Sequence, residues 1–437
     1  MVLNGRKVVV VGMARSGVAA VRLLLTKGAT VRAVDEKPMG EVQGITVEPQ
    51  TEAAFRDADL VVLSPGVPAD LDVLATVRER GIPVIGELEL AAPFLEGQNI
   101  GITGTNGKTT TTALTGHILH ESGIACQVGG NIGTPPASMV ESSRPDQWNV
   151  LELSSFQLET IRTFHAPIAA CLNVTQNHLD RHHTFENYKN TKARLFETQS
   201  ADDCAVLNAD DPVTVEFAVR TRATVAWFSS THPVAGAWLD GDTIRMEDTE
   251  LLNVRELRLR GRHNYENVMA AALMAKRAGA QVAQIARAAA TFAPVEHRLE
   301  LVQEIDGVAY YNDSKATSVD ATLKAMDAFP GGLWIILGGK DKDSDYTVLR
   351  SPLRAKAKAA LLIGSAAQKI ASQIGDATLV LQCGTLAAAV QQASRVASPG
   401  DTVLLAPACA SFDQFENFEQ RGRVFKDLVR ALAEGAS

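Results

Sequence analysis

After an apolar run and before a helical stretch the chain reads Thr103-Gly104-Thr105-Asn106-Gly107-Lys108-Thr109-Thr110. Glycines let backbone N–H groups wrap phosphate oxygens. A helix N-terminus adds partial positive charge, Lys108 adds a full one, and Thr109 offers a hydroxyl to Mg²⁺. A strict phosphate loop has one more glycine at position 102, where Ile102 stands, so this is the compressed form GxxGKT. The next apolar run closes on Val150-Leu151-Glu152-Leu153-Ser154-Ser155, and an acid at a strand end beside a phosphate loop suits Mg²⁺ ligation. A third run passes Asn173 and leads to Asn177-His178, with His182 and His183 close behind. His178 can ligate a metal; His182 and His183 are as readily ordinary polar residues. Lys192 falls four residues after Tyr188 and three before Leu195, on the apolar stripe of an expected helix over 186–197. A lysine there either snorkels outward or serves a site.

Two other regions carry polar clusters at strand ends. Near the N-terminus, Gly12-Met13-Ala14-Arg15-Ser16-Gly17 is followed by Asp35 at the close of the second strand. A dinucleotide fingerprint needs glycine where Ala14 stands, so backbone and Ser16 contacts to a different nucleotide are the alternative. Toward the C-terminus, Asn312–Thr317, Gly338–Asp343 and Pro407–Asp413 each follow a strand. Singly each reads as turn chemistry; together in one domain they point to a site.

The elements that position these residues repeat as short apolar run, turn and amphipathic helix, which signals α/β architecture with mostly parallel sheets. Strands are expected at Lys7–Val11, Thr30–Val34, Leu60–Leu63 and Pro83–Ile85, then at Asn99–Ile102, Trp148–Leu153, Ile168–Val174, Cys204–Leu207 and Thr224–Phe228. A β-rich insertion spans 232–260, and a helix over Tyr265–Ala278 closes the second block. The third block brings strands at Val308–Tyr311, Leu333–Leu337, Ala360–Ile363, Leu379–Leu381 and Thr402–Ala406, and a helix over Val319–Phe329. Three successive domains are expected, 1–93, 94–292 and 293–437. The 437 residues agree with that at roughly 150 per domain. A net charge of −8 excludes a large basic excess, so neither nucleic acid nor a membrane surface is an expected partner. The five cysteines form no CxxC pair and no apolar run reaches the ~18 residues of a membrane helix. A reduced, cytoplasmic setting is expected.

The motifs GTNGKTT (104–110), GGNIG (129–133), LELSSFQLE (151–159), HNYEN (263–267), HRLE (297–300), NDSKAT (312–317) and SFDQFENFEQRG (411–422) resemble those of the Mur ligase family of ATP-dependent amide-bond-forming enzymes, over essentially the whole chain. The resemblance implies an N-terminal Rossmann-like domain for a uridine diphosphate, a central P-loop ATPase-type parallel sheet and a C-terminal Rossmann-like domain. LELSSFQLE and the SFDQF tail further imply UDP-N-acetylmuramoyl-L-alanine and D-glutamate as substrates, with ATP and Mg²⁺, in a monomeric enzyme of peptidoglycan precursor synthesis. In that likeness Gly104, Thr105, Asn106, Gly107, Lys108, Thr109 and Thr110 hold the ATP phosphates. Glu152 and His178 are Mg²⁺ ligands with Thr109, and Ser154 lies nearby. Lys192 matches a lysine that the family carbamylates, which turns a cation into a carboxylate-like ligand. Asn131 falls near the muramoyl group. Asn264, Asn267 and Arg298 match adenine and phosphate contacts, and Asp313 and Lys315 match further nucleotide- and substrate-site positions. Thr317, Lys342, Ser411 and Phe418 match the D-glutamate pocket; Ser16, Asp35, Glu36, Lys37, Ser64 and Gly66 match the uridine diphosphate site. Two departures stand out: Asn177 where the family commonly has Asp, and Lys340 as a rival to Lys342 for the glutamate carboxylate.

The chemistry implied is attack of a carboxylate on the γ-phosphorus of ATP and then of an amine on the resulting acyl phosphate. Both need charge neutralised and water kept out, so closure of the third block over the second is expected. The alternatives are a Mur-type or folylpolyglutamate-type ligase with another amino acid, a nicotinamide-dependent oxidoreductase built on Gly12–Asp35, and a non-catalytic nucleotide-binding module.

Overall fold

The computed structural model describes all residues except Pro38, Met39, Pro294, Val295, Ala436 and Ser437. Pro294, beside the expected start of the third block, is therefore outside the described residues. Among the described residues there are three sheets, each drawn from one of the three blocks. The chain forms two compact units, one of residues 1–257 with 265–292 and the other of 258–264 with 293–437.

The first sheet has six strands in the order Glu41–Val42, Ile45–Pro49, Thr30–Asp35, Lys7–Val11, Leu60–Leu63, Val84–Gly86. Val8, Val10 and Val62 lie on one face against Ala20 and Leu24 of the helix Arg15–Thr26; Val9, Val11 and Val61 face Phe55, Leu74 and Val77 on the other. That double coverage is why the strands read as near-continuous valine and leucine runs.

The central sheet has nine strands. Gln98–Thr103 lies between Ile168–Cys171 on one side and Trp148–Glu152 on the other, with Cys126–Gly130 at the edge. The opposite end continues through Cys204–Asn208 and Thr224–Ser229 into Gly236–Asp240, Thr243–Met246 and Thr249–Asn253, which supply the β-rich insertion. Two expectations are corrected. The strand expected over Ile168–Val174 ends at Cys171, because beyond it the Asn173 carbonyl accepts from Thr105 N–H and the Val174 N–H donates to Asp211 instead of pairing in the sheet. The helix expected from Tyr265 begins at Arg262 and runs to Arg277.

The third sheet runs Glu300–Ile305, Val308–Asn312, Thr402–Leu405, Leu333–Gly338, Ala357–Ile363, Leu379–Gly384. All pairs are parallel except the edge strand Glu300–Ile305. The three strands whose ends carry the polar clusters are thus consecutive in the sheet. In an open parallel sheet their carboxyl ends are where a ligand binds. All five cysteines are free. Among the described residues no helix is long and apolar enough to cross a membrane.

Candidate functional site

The strand Gln98–Thr103 turns through Gly104–Gly107 into the helix Lys108–Glu121. Gly107 takes φ +85°, and a side chain there would collide with Asn267 Oδ1, so glycine both makes the turn and admits the neighbouring helix. The loop is pinned from outside. Asn173 accepts from Asn106 N–H at 2.9 Å and donates back to the Asn106 carbonyl at 3.2 Å. Thr105 Oγ1 lies 3.1 Å from Tyr188 Oη and accepts from Thr175 N–H at 3.0 Å. Asn267 Oδ1 accepts from Thr111 Oγ1 at 3.1 Å. Lys108 Nζ crosses the loop to the Gly104 and Thr105 carbonyls at 2.9 and 3.0 Å.

Lys192 is buried, not snorkelling: its side chain is 1 % exposed, on the helix Phe185–Ala193. Nζ donates to the Gly104 carbonyl at 2.9 Å and sits 4.7 Å from the centre of the Tyr188 ring. Two cations thus meet one loop carbonyl. Burial first, and then the charge of Lys108, push the Lys192 amine down to about 7. Glu152 closes its strand at 2 % exposure. Its Oε1 accepts from Asn131 Nδ2 at 2.9 Å, while its buried Oε2 has no hydrogen-bond partner. The Asn131 backbone N–H also donates to the Glu152 carbonyl, at 2.8 Å. Gly130 makes this possible, because a Cβ there would strike the Glu152 backbone.

His178 sits in the left-handed region at φ +53°, edge-on to Phe156 with ring centres 4.9 Å apart. Asn177 Oδ1 accepts from the His178 backbone N–H, so this amide shapes the turn that carries His178. His182 and His183 take structural roles: His182 Nε2 pairs with Ser155 Oγ at 3.0 Å and His183 with Asp70 at 3.1 Å. Ser154 caps the short helix Ser155–Leu158 in a reciprocal box with Gln157. Among the described residues no group of three or more His, Cys, Asp and Glu is poised on a metal.

In the second compact unit Asp313 is buried and raised to about 6 by desolvation, against the opposing pull of Arg298. Arg298 Nε is itself buried with no hydrogen-bond partner. Asn264 is buried and donates to the Arg260 carbonyl at 2.7 Å. Lys315 Nζ lies 5.7 Å from the Phe418 ring centre, and Lys342 Nζ donates to the Thr317 carbonyl at 3.4 Å. Ser411 is buried, at the end of the third polar cluster. In the first sheet Asp35 accepts from Met13 N–H at 2.7 Å and from Lys37 N–H at 2.9 Å, and Ser64 N–H donates to the Val11 carbonyl. Ser16, Glu36, Lys37 and Gly66 lie at the same strand ends. Arg15 donates to the Gly133 carbonyl and so ties this end of the first sheet to the GGNIG turn.

Sequence reasoning passed over several residues. Asn173 and Tyr188 hold the phosphate loop. Arg421, 0 % exposed, donates to Ser314 Oγ and to the Ser314, Cys409 and Ala410 carbonyls. The signal for Arg421 was present, since it shares a helical stripe with Phe418, Phe425 and Val429.

This fold and this loop define an α/β protein of the phosphate-loop class, with two further mostly parallel sheets. Family models match along the chain: "Mur ligase MurD-like, N-terminal domain" over 6–86, "Mur ligase middle domain" over 102–275 and "Mur ligase, glutamate ligase domain" over 297–409. The UDP-N-acetylmuramoylalanine–D-glutamate ligase of Solibacter usitatus is 61 % identical, with 99 % of each chain covered. The protein of the same name from Acidobacterium capsulatum is 50 % identical, over 99 % of this chain and 97 % of that one. Among solved structures, a UDP-N-acetylmuramate-alanine ligase from Thermotoga maritima shares the fold at a TM-score of 0.61 and 17 % identity, covering 98 % of this chain and all (100 %) of its own. A pseudomurein peptide ligase type C from Methanothermus fervidus does so at 0.62 and 18 %, with 98 % and 100 % covered. The chain belongs to the Mur ligase family.

Proposed function

We infer that this chain is the ATP-dependent ligase that adds D-glutamate to UDP-N-acetylmuramoyl-L-alanine in peptidoglycan precursor synthesis. The observation that carries this reading is the 61 % identity, end to end, with a ligase of that name. The site geometry supports it.

The L-alanyl carboxylate attacks the γ-phosphorus of ATP, ADP leaves, and an acyl phosphate forms. The amine of D-glutamate attacks the acyl carbon, phosphate leaves, and the amide remains. An anion approaching a polyanion is opposed by charge, and Lys108 with the N–H groups of the loop offsets that repulsion. Glu152 fits a hard divalent cation: its Oε2 atom is buried without a hydrogen-bond partner. Glu152, Thr109, His178 and a modified Lys192 would hold Mg²⁺, which when bound supplies charge compensation for the phosphates. Lys192 suits carbamylation, since an amine lowered to about 7 is substantially neutral at pH 7. Its lone pair can then attack CO₂ and release a proton. Asn264, Asn267, Arg298 and Asp313 are assigned to the nucleotide and Lys315 to the substrate. Thr317, Lys342, Ser411 and Phe418 are assigned to D-glutamate. Asn131 and Ser154 are assigned to the muramoyl side, and Ser16, Asp35, Glu36, Lys37, Ser64 and Gly66 to the uridine diphosphate. A monomer with domains 1–93, 94–292 and 293–437, acting in the cytoplasm, completes the reading.

The test is phosphate release with UDP-N-acetylmuramoyl-L-alanine, ATP, Mg²⁺ and D-glutamate, omitting each in turn. Sustained release needs all four. Equal release when L-lysine or L-alanine replaces D-glutamate overturns the amino-acid assignment.

A further inference from the structure

The turn after Leu333–Gly338 carries two lysines, Lys340 and Lys342, and either has the charge to meet a carboxylate. Between them stands Asp341, whose side chain is anchored by three hydrogen bonds. Its Oδ1 accepts from Tyr346 Oη at 2.7 Å and from Ser344 N–H at 3.1 Å, and its Oδ2 pairs with Lys369 Nζ at 2.7 Å. Lys369 also reaches Asp343 at 3.3 Å. Tyr346 is fully buried, and its oxygen lies 3.0 Å from Cys409 Sγ. The one phenolic proton goes to the carboxylate, so the thiol donates to the phenol, in the order Cys409, Tyr346, Asp341. The chain of bonds joins the lysine-bearing turn to the strand end that carries Ser411. On that same side Lys340 is held through its backbone: its N–H donates to the Ala410 carbonyl at 2.8 Å, and its carbonyl accepts from Ala410 N–H at 3.2 Å. Lys342, beyond the anchor, directs Nζ to the Thr317 carbonyl.

We propose that Tyr346, acting through Asp341, is a positioning residue that makes Lys342, and not Lys340, the lysine that receives the glutamate carboxylate. This rests on the assignment of Thr317, Lys342, Ser411 and Phe418 to D-glutamate. Tyr346→Phe keeps the buried ring and removes only the hydroxyl.

Steady-state kinetics test it. Tyr346→Phe raises KM for D-glutamate about tenfold while KM for ATP and kcat stay within about twofold, the scale of losing one or two buried hydrogen bonds. Asp341→Ala moves KM for D-glutamate the same way, and Asp341→Asn, which keeps the acceptor for the phenol, recovers most of it. In the Tyr346→Phe background Lys340→Ala raises KM further, whereas in the parent chain it does not. An unchanged KM for D-glutamate in both Tyr346→Phe and Asp341→Ala overturns the proposal, whatever happens to stability. Should Tyr346→Phe not fold, the two Asp341 variants decide. Lys342→Ala separates the two levels. If it leaves KM for D-glutamate unchanged, the pocket assignment fails. If it raises KM while the Tyr346 and Asp341 variants do not, only the positioning role fails.

Discussion

Lys192 in the first compact unit and Arg421 in the second are both buried cations whose partners are mainly backbone carbonyls, yet they are built for different ends. Arg421 has five N–H donors and five hydrogen bonds, spread over Ser314, Cys409 and Ala410. Burial lowers it only to about 10, so it stays charged and works as a rivet between two strand-end loops. Lys192 has a single good carbonyl bond and a longer one of 3.4 Å to Thr103 Oγ1, and burial, with the charge of Lys108 adding to it, pushes it down to about 7. A guanidinium locked in by its full complement of acceptors is structural. An amine with one short bond and pushed down to about 7 is under-bonded by comparison.

Substitutions at the two positions sharpen that contrast. Removing either lysine of the loop carbonyl has the largest expected effect: Lys192→Ala lowers turnover by about a thousandfold, the scale of losing a group that stabilises transition-state charge. It leaves unfolding by denaturant nearly unchanged, and small carboxylic acids restore part of the rate if a carbamate is what was lost. Lys108→Ala also abolishes phosphate release in a folded protein; full activity there would remove the phosphate assignment altogether. Next comes Arg421→Met, which strands several buried carbonyls and costs about 3 kcal/mol of stability in urea unfolding. Arg421→Lys, with three donors for four acceptor atoms, recovers only part. Equal stability losses at Lys192 and Arg421 would erase the distinction.

A last effect, which vanishes toward low pH, concerns a buried acid. Glu87, at 1 % exposure, accepts from Ala137 N–H at 2.5 Å, and its Oε2 has no hydrogen-bond partner. Burial raises it from 4.5 to about 8. Between those values the unfolded chain gives up this proton and the native one keeps it, so stability falls as pH rises from about 4.5 to about 8 and levels off above. Glu87→Gln removes that slope. Its melting temperature exceeds the parent's by a few degrees at pH 8, and the gap closes toward pH 5. A gap independent of pH contradicts the assignment.

Much of this was legible in the sequence, for a physical reason. Parallel strands covered on both faces are unbroken apolar runs, so Lys7–Val11, Leu60–Leu63 and Leu333–Gly338 stand out, and the residues that follow them are at the sheet's binding edge. The strand Cys126–Gly130 was not legible, because its closing glycines look like a turn, whereas Gly129 clears Thr134 and Met139 and Gly130 clears the Glu152 backbone. Nor were Asn173 and Tyr346. Each has a partner 60 or more positions away, at separations of 67 and 63, and local spacing says nothing about such pairings. The stripe that holds Arg421 was legible, but its partner Ser314, 107 positions away, was not. The ambiguity between Lys340 and Lys342 is of the same kind, since what separates them is Tyr346 and the strand end at Cys409.

The second compact unit is discontinuous in sequence, and this governs how the molecule can be dissected. Residues 258–264 belong to it, although they precede the last stretch of the first unit. Gly261 packs toward Ala328, and His263 is held near 3 by burial and by the charges of Arg298 and Lys324. A fragment expressed from residue 293 onward would lack a piece of its own wall and expose the surface beneath. An autonomous fragment of this unit would need 258–264 grafted back through a new connection.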